Sequence, residues 1–333
     1  MAGGQERVLR RRIRSVQSTK KITRAMELIA ATRVAKAQQR AAAARPYSEN
    51  LTGVIQHLAE NGGVSDHPLL QAPTEVKKVA FVVITSDRGL AGGYNSTVIK
   101  AAEREISARR NEGADYSLIL VGKKAEGHFK FRNYRIDATF NGISDTPTYA
   151  DAQEVGKVVA EKFGSGEVDE VVLVFTRFIS VGTQAVSVRQ FMPLTGVGQE
   201  SSDEERARAG YEFEPAPATI LETLLPRYVT ARLFAALLDA AASEHASRQR
   251  AMKAATDNAE ELIVKLSRVM NRARQDAITT EITEIVGGAE ALHQSGGDNE
   301  DLLIDHVFPE DPFDPAARKK PSRTHHFSAG EQL

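Results

Sequence analysis

The chain has 333 residues, 41% of them hydrophobic, no cysteine and a formal net charge of −1. The absence of cysteine excludes disulfides, thiolate metal centres and thiol nucleophiles. No apolar run reaches the length of a membrane helix. No continuous apolar core or cleavage pattern follows the basic start, so a secretory signal is not expected. The near-neutral total hides an asymmetry. Residues 1–45 carry twelve Lys and Arg against two acids, Glu6 and Glu27, a balance of +10, whereas residues 298–314 carry seven acids and no Lys or Arg.

Residues 5–45 contain neither Gly nor Pro and are rich in Ala, Arg, Gln, Lys and Leu, which predicts one long helix of roughly 60 Å. Ile22, Met26 and Ile29 supply its apolar repeat, Pro46 is a place to bend or interrupt it, and Asn61-Gly62-Gly63 ends it. Such a basic start resembles a mitochondrial transit peptide, but it runs unbroken into the helix pattern. The next 120 or so residues change character. The segments 78–85, 116–122, 170–178 and 184–193 read as strands, and 98–111 and 150–163 as helices between them. That alternation predicts an α/β layer with a mainly parallel sheet. Residues 196–217 are polar and read as a linker. Residues 227–286 contain no Gly or Pro and predict a second helix of roughly 90 Å. Its expected seam is Ala255, Ala259, Leu262, Leu266, Val269 and Ala273, then Ile278, Ile282 and Ile285, close to the period of a coiled coil. Neither long helix can leave its stripe in water, so an antiparallel pair with the α/β domain between them in sequence is expected. A compact helical bundle beside the sheet is the alternative. Residues 293–333, with four prolines and the apolar island 301–308, read as a disordered acidic tail.

Little in the chain points to catalysis. SDRGLAGGYN (86–95) follows the first strand, where glycines often cradle a phosphate. Its spacing is neither of the usual nucleotide fingerprints, no lysine follows, and Lys123-Lys124 stand where a ribose-binding acid would be expected. A structural turn is the preferred reading, with the glycines giving positive φ and close approach to a helix or partner. The histidines are scattered, His325-His326 is weak metal evidence, and neither HExxH nor GxSxG occurs. No catalytic, cofactor or metal residues are assigned. The basic first helix fits an acidic partner. Nucleic acid is disfavoured, because no aromatic precedes Tyr47 to stack on bases.

Four stretches carry a resemblance: SVQSTKKITRAMELIAATRVAKAQ (15–38) followed by RPY, TSDRGLAGGYN (85–95), MKAATDNAEELI (252–263) and NRARQDAITTEITEIVGGAEAL (271–292). The chain resembles the gamma subunit of the F-type rotary ATP synthase over about residues 1–292. The resemblance implies an antiparallel coiled coil of the terminal helices plus an inserted Rossmann-like α/β domain that performs no nucleotide catalysis. The implied segments are a shaft helix at 1–62, the α/β domain at 76–195, a linker or foot at 196–217, the second shaft helix at 218–292 and the tail at 293–333. It implies a bacterial-type, non-catalytic rotor shaft turning inside an alpha–beta hexamer, with the epsilon subunit and the membrane c-ring at its foot. No cofactor and no nucleic acid belong to that picture, and membrane association would come only through partners, at the cytoplasmic face of the plasma membrane. By motif match, Lys20, Lys21, Arg24 and Met26 would meet the acidic lever loop of beta. Arg274, Gln275, Thr279 and Glu281 would engage its catch loop. Arg248 and Met252 match shaft positions that affect coupling, and Tyr211 and Glu214 the foot that touches the rotor ring.

Two features depart from the family pattern. The regulatory dithiol of plastid members is excluded by the lack of Cys, and 41 residues follow Leu292. Composition favours inert disorder for that tail over a contact with the ring's crown or stator that brakes rotation. Two readings from other classes compete. A nucleotide-dependent enzyme with a nucleic-acid-gripping arm lacks its fingerprint, and a coiled-coil scaffold leaves the inserted domain and the basic helix unexplained.

Overall fold

The computed structural model describes residues 2–61, 73, 75–194 and 217–295. They fall into two units: residues 12–265, and residues 1–11 with 266–333, of which 2–11 and 266–295 are described. The expected foot residues Tyr211 and Glu214 and nearly all of the expected tail lie outside the described residues. Helix α1 spans Ala2–Asn61, and the last helix, α5, spans Pro217–Ser295. Both continue through a proline, Pro46 and Pro226, although each proline removes one backbone donor. Packing over many turns outweighs that single loss.

Between them lies a five-stranded sheet. Its strands are β1 (Lys78–Ile84), β2 (Asp115–Val121), β3 (Ala138–Phe140), β4 (Glu170–Phe178) and β5 (Gln184–Met192), in the order β3-β2-β1-β4-β5. The first four are parallel, and β5 returns antiparallel to β4. Helices α2 (Tyr94–Asn111), α3 (Lys123–Phe131) and α4 (Tyr149–Gly164) connect them. The expected strands and helices appear, and two short elements join them. β3 has three residues, and α3 has nine with only Ala125 and Phe129 buried. Elements that short leave no periodic signature.

Residues 79–84 of β1 are at most 1% exposed, so the strand is apolar without alternation, as a central parallel strand must be. Val79, Phe81 and Val83 pack with α2 and α3. Ala80, Val82 and Ile84 pack in a second cluster with α4, with Leu51, Ile55 and Leu58 of α1, and with Leu225, Tyr228, Val229 and Leu233 of α5. The long helices therefore supply part of the layer over one sheet face. Burying each such large side chain contributes about 1.5–3 kcal/mol, so the sheet and the roots of both helices are held as one core.

Two glycines at the same backbone angle test how tightly this frame is set. Gly113 and Gly122 both have φ +93, but a Cβ on Gly122 would lie 2.4 Å from the Thr85 carbonyl oxygen, while one on Gly113 meets nothing within 4 Å. Gly113→Ala should cost about 1 kcal/mol from backbone strain alone. Gly122→Ala should cost about 3 kcal/mol or more, because the ends of β1 and β2 must separate. Urea unfolding of both variants checks this, and equal losses would show that the close approach is unimportant.

Candidate functional site

Within residues 12–265 the two long helices meet along a seam with heptad spacing. On α1 the inward row is Ile13, Val16, Lys20, Thr23, Glu27, Ala30, Val34 and Ala37, in alternating steps of three and four, with Met26, Ala31 and Arg33 half-buried beside it. On α5 the inward row is Met252, Thr256, Ala259 and Ile263, with Ala251 and Ala255 half-buried beside it. Thr256 Oγ1 lies 2.8 Å from Thr23 Oγ1, and Lys20 Nζ lies 2.9 Å from Glu260 Oε1. The first pair joins 23 to 256 and the second 20 to 260, so the helices run antiparallel, as expected.

The phase of the seam agrees with the expected one only in part: Ala259 is buried and Met26 and Ala255 are half-buried, as expected, but other expected positions turn outward. Ile22 and Ile29 are 58% and 54% exposed, and on α5 Leu262 is 37% exposed while Ile263 takes the inner position. Small and polar residues (Thr23, Ala30, Thr256, Ala259) occupy the inside, which lets the helix axes approach. Ile22 and Ile29 are left outside, while Ile13 and Ile263 stay in the seam.

The residues singled out in the sequence have different settings. Lys20 bridges to Glu260 across the seam, Lys21 is exposed, and Met26 is half-buried. Arg24, also exposed, donates from one nitrogen to both Glu27 oxygens at 2.8 and 2.9 Å, and so holds that acid at the seam. Met252 and Arg248 are buried, at 5% and 8% exposure. In the other unit, Leu266 is buried, and Leu9, Met270, Ala273 and Ala277 are half-buried. Val269, expected in the seam, is 47% exposed there. Every residue from Ile278 to Gln294 is exposed, including the expected seam positions Ile278, Ile282 and Ile285. Arg274 and Glu281 lie seven residues apart on one side of α5, and Gln275 and Thr279 lie one turn apart beside them. All four are exposed.

A buried polar network that no sequence pattern announced joins α1, α5 and two loops within residues 12–265. Arg248 donates to Glu244 Oε1 at 2.6 Å, to the Gly89 carbonyl at 3.3 Å and to His245 Nδ1 at 3.3 Å. His245 Nε2 donates to the Asp145 carbonyl at 3.1 Å, and Arg33 holds the Asp145 carboxylate. That pattern assigns the neutral Nε2–H tautomer to His245. Burial lowers its pKa below the ordinary 6.5, opposed by Asp145 and assisted by the neighbouring Arg248 and Arg33. Burial likewise raises Glu244, against the pull of Arg248. Asp145, Glu244 and His245 each place a ligand atom within 4.8 Å of the others. Both carboxylates already face a guanidinium, so a divalent ion there would sit between two cations. The arrangement reads as an ion-pair network.

This network also settles how SDRGLAGGYN is used. Ser86 N donates to Asn95 Oδ1 at 2.9 Å, and Asp87 accepts from the backbone of Ser144 and Lys123, both at 3.2 Å. Asp87 is desolvated, yet these bonds keep its pKa below the ordinary 3.8. Positive φ falls on Leu90 and Gly92, not on Gly89 or Gly93. A Cβ on Gly92 would meet Ala251 Cβ at 3.5 Å. The glycines allow the loop to lie against α5.

Two predictions follow from these contacts. Thr23→Val or Thr256→Val alone should cost about 1 kcal/mol or less by removing the bond across the seam, because the remaining hydroxyl keeps its own backbone partner, the Lys20 carbonyl for Thr23 and the Met252 carbonyl for Thr256, and the double variant should cost little more than either single one. A double-mutant cycle by urea unfolding measures the coupling. The second concerns acid. A group whose folded pKa is lowered contributes stability above its unfolded value that is lost as pH falls through the folded value. His245 should therefore destabilise the chain as pH drops below 6.5, and Glu244, raised by burial, acts in the opposite sense. His245→Asn should flatten the unfolding midpoint between about pH 7 and about pH 5. An unchanged slope would exclude His245 as the source.

Comparisons with known proteins account for this arrangement. A family model described as ATP synthase matches residues 5–292. The ATP synthase gamma chain of Frankia casuarinae is 50% identical over 293 residues, covering 87% of this chain and 98% of that one. That of Kineococcus radiotolerans is 49% identical over 298 residues, covering 88% and 98%. In fold, the chain is similar to one in the Tetrahymena thermophila mitochondrial ATP synthase central stalk and c-ring, with TM-score 0.56, 23% identity and coverage of 70% of this chain and 99% of that one. A chain of the Euglena gracilis mitochondrial ATP synthase, in a structure of OSCP, F1 and c-ring, aligns with TM-score 0.60 at 19% identity over 90% and 100%. Identity of one half across nearly the whole length of the relatives shows that this chain belongs to the ATP synthase gamma-chain family, as a central-stalk rotor subunit and not a catalytic one.

Proposed function

We propose that the paired helices act as a shaft that transmits torque from a c-ring to the catalytic beta subunits of an alpha–beta hexamer, with epsilon bound near the α/β domain. The observation that carries this is the antiparallel seam joining Thr23 to Thr256 and Lys20 to Glu260. A shaft must resist twisting, and two helices locked through small residues in heptad register do so better than either alone. Their roots lie in the same core as the sheet, so the seam and the sheet turn together.

The contacts with beta follow from exposure and charge. Lys21 and Arg24 present positive charge beside the half-buried Met26, suiting an acidic lever loop. Arg274, Gln275, Thr279 and Glu281 offer an exposed polar face for a catch loop. The exposed isoleucines beyond Ala277 suit an apolar sleeve in which no directional bond pins one angle. Such contacts act by differing between rotor angles, because equal binding to all states shifts nothing. Tyr211 and Glu214 are proposed to touch the rotor ring. No described helix is long and apolar enough to cross a membrane. The chain is proposed to sit at the cytoplasmic face of a bacterial plasma membrane, held there by its partners.

Met26→Lys tests the reading. An added cation would form an ion pair with the lever loop that persists through rotation. In the reconstituted complex, proton pumping per ATP hydrolysed should fall while the amount of assembled complex is kept. Losses of hydrolysis and pumping in strict proportion to lost protein would overturn it.

A further inference from the structure

The order β3-β2-β1-β4-β5 places a topological switch point between β1 and β4. In open α/β sheets, the crevice at the carboxyl ends of the two strands beside such a point is the common place for a ligand. Here the connections leave in opposite directions: β1 leads through α2 to β2, and the chain later enters β4 on the other side of β1. The crevice is present. It is a concavity of about 470 Å³ between the start of α2, β4, β5 and α5. That volume is in the range of small-molecule sites.

Five features of its wall favour an anion. None of its lining residues is acidic. Arg250 lines it, and the bonds of its guanidinium go to neutral oxygens, the Gly182 carbonyl and Gln184 Oε1, so no carboxylate offsets its charge among the described residues. The 18-residue helix α2 begins there behind Gly93, and no side chain caps it. The positive end of its dipole is therefore open to the crevice. Gly92 and Gly93 put no side chain between a ligand and the backbone.

The fifth feature is independent of the helix end. Thr176, near the end of β4, lines the crevice and is only 4% exposed, and its hydroxyl has no hydrogen-bond partner among the described residues. A buried hydroxyl without a partner costs about 1–3 kcal/mol, so it calls for a ligand atom that accepts from it. Ser247, across the crevice, makes a long 3.4 Å bond to Gln184 and offers a second donor.

We propose that this crevice is a non-catalytic binding site for a phosphate-type oxyanion, held by Arg250, the Thr176 hydroxyl and the start of α2. The ligand is either inorganic phosphate or the phosphate end of a nucleotide, both of which share this chemistry. The site lacks a metal ligand set and a nucleophile, so its occupation acts on the packing of the SDRGLAGGYN loop against α5. The proposal is independent of the rotor contacts: a chain that couples rotation normally and binds no oxyanion would refute this site alone.

The test uses the purified full-length chain, free of catalytic subunits that bind nucleotide themselves. Titration calorimetry would be run separately with inorganic phosphate and with ADP, on the wild type, Thr176→Val and Arg250→Gln. Thermal unfolding would confirm that each variant is folded. Thr176→Val keeps the side-chain shape, so it reports the hydroxyl even if Arg250→Gln loosens the β5 contact. Each substitution should weaken binding about tenfold, the loss expected for one charge-assisted or buried hydrogen bond. Binding of phosphate identifies the free ion as a sufficient ligand, and binding of ADP alone identifies the nucleotide. No heat from either at millimolar ligand would overturn the site, as would binding that both variants leave unchanged.

Discussion

Two helices of this length cannot stand in water with an apolar stripe uncovered, and the structure is arranged around that constraint. Over residues 12–265 the stripe is closed by a seam in which small and polar residues alternate with Ile13, Val16, Val34, Met252 and Ile263. Thr23 and Thr256 meet inside it, and Glu27 is brought to it by Arg24. Nearer the sheet, the same helices turn bulky residues, Ile55, Leu58, Tyr228 and Leu233 among them, into the core under β1 and β4. One pair of helices thus changes its packing material along its length: small residues where it must be slender and stiff, large ones where it must be anchored.

That change explains the placement of charge. A seam of Ala and Thr yields less hydrophobic stabilisation than one of Leu and Ile. Polar links across it then matter for register more than for total stability, as a buried polar residue does in a coiled coil. The network of Arg33, Asp145, Glu244, His245 and Arg248 is the strongest such link. It lies where α1, α5, the loop before α4 and the SDRGLAGGYN loop converge. A rigid junction there would let a force on the helices reach the sheet without loss of angle.

The outer surfaces follow from what the seam leaves out. Ile22, Leu28 and Ile29 are more than half exposed because the inner positions went to smaller side chains. From Ile278 to Gln294 every residue is exposed, and isoleucines alternate with Thr and Glu. Surfaces of that kind are paired by other chains or turn against them. The family to which the chain belongs gives both a reason to exist.

The sequence by itself determined the elements. The Gly- and Pro-free stretches, the apolar run of β1 and the alternation of strand and helix each carry a local signal, because backbone propensity and periodicity act over a few residues. Four long motifs were enough to indicate the family, since their order and spacing are specific. The tertiary structure alone decided the phase of the seam. Ala259 and Leu266 are buried as local reading expects, but Ile22, Ile29, Leu262 and Val269 turn outward, while Thr23, Ala30 and Thr256 lie inside. Which face of a helix is buried depends on how closely its partner can approach, and that is a property of two segments more than 200 residues apart in sequence. The same holds for the polar network and for the crevice beside Thr176. Each gathers residues from α5 and from loops or strands far from it in sequence, and no window along the chain contains them together.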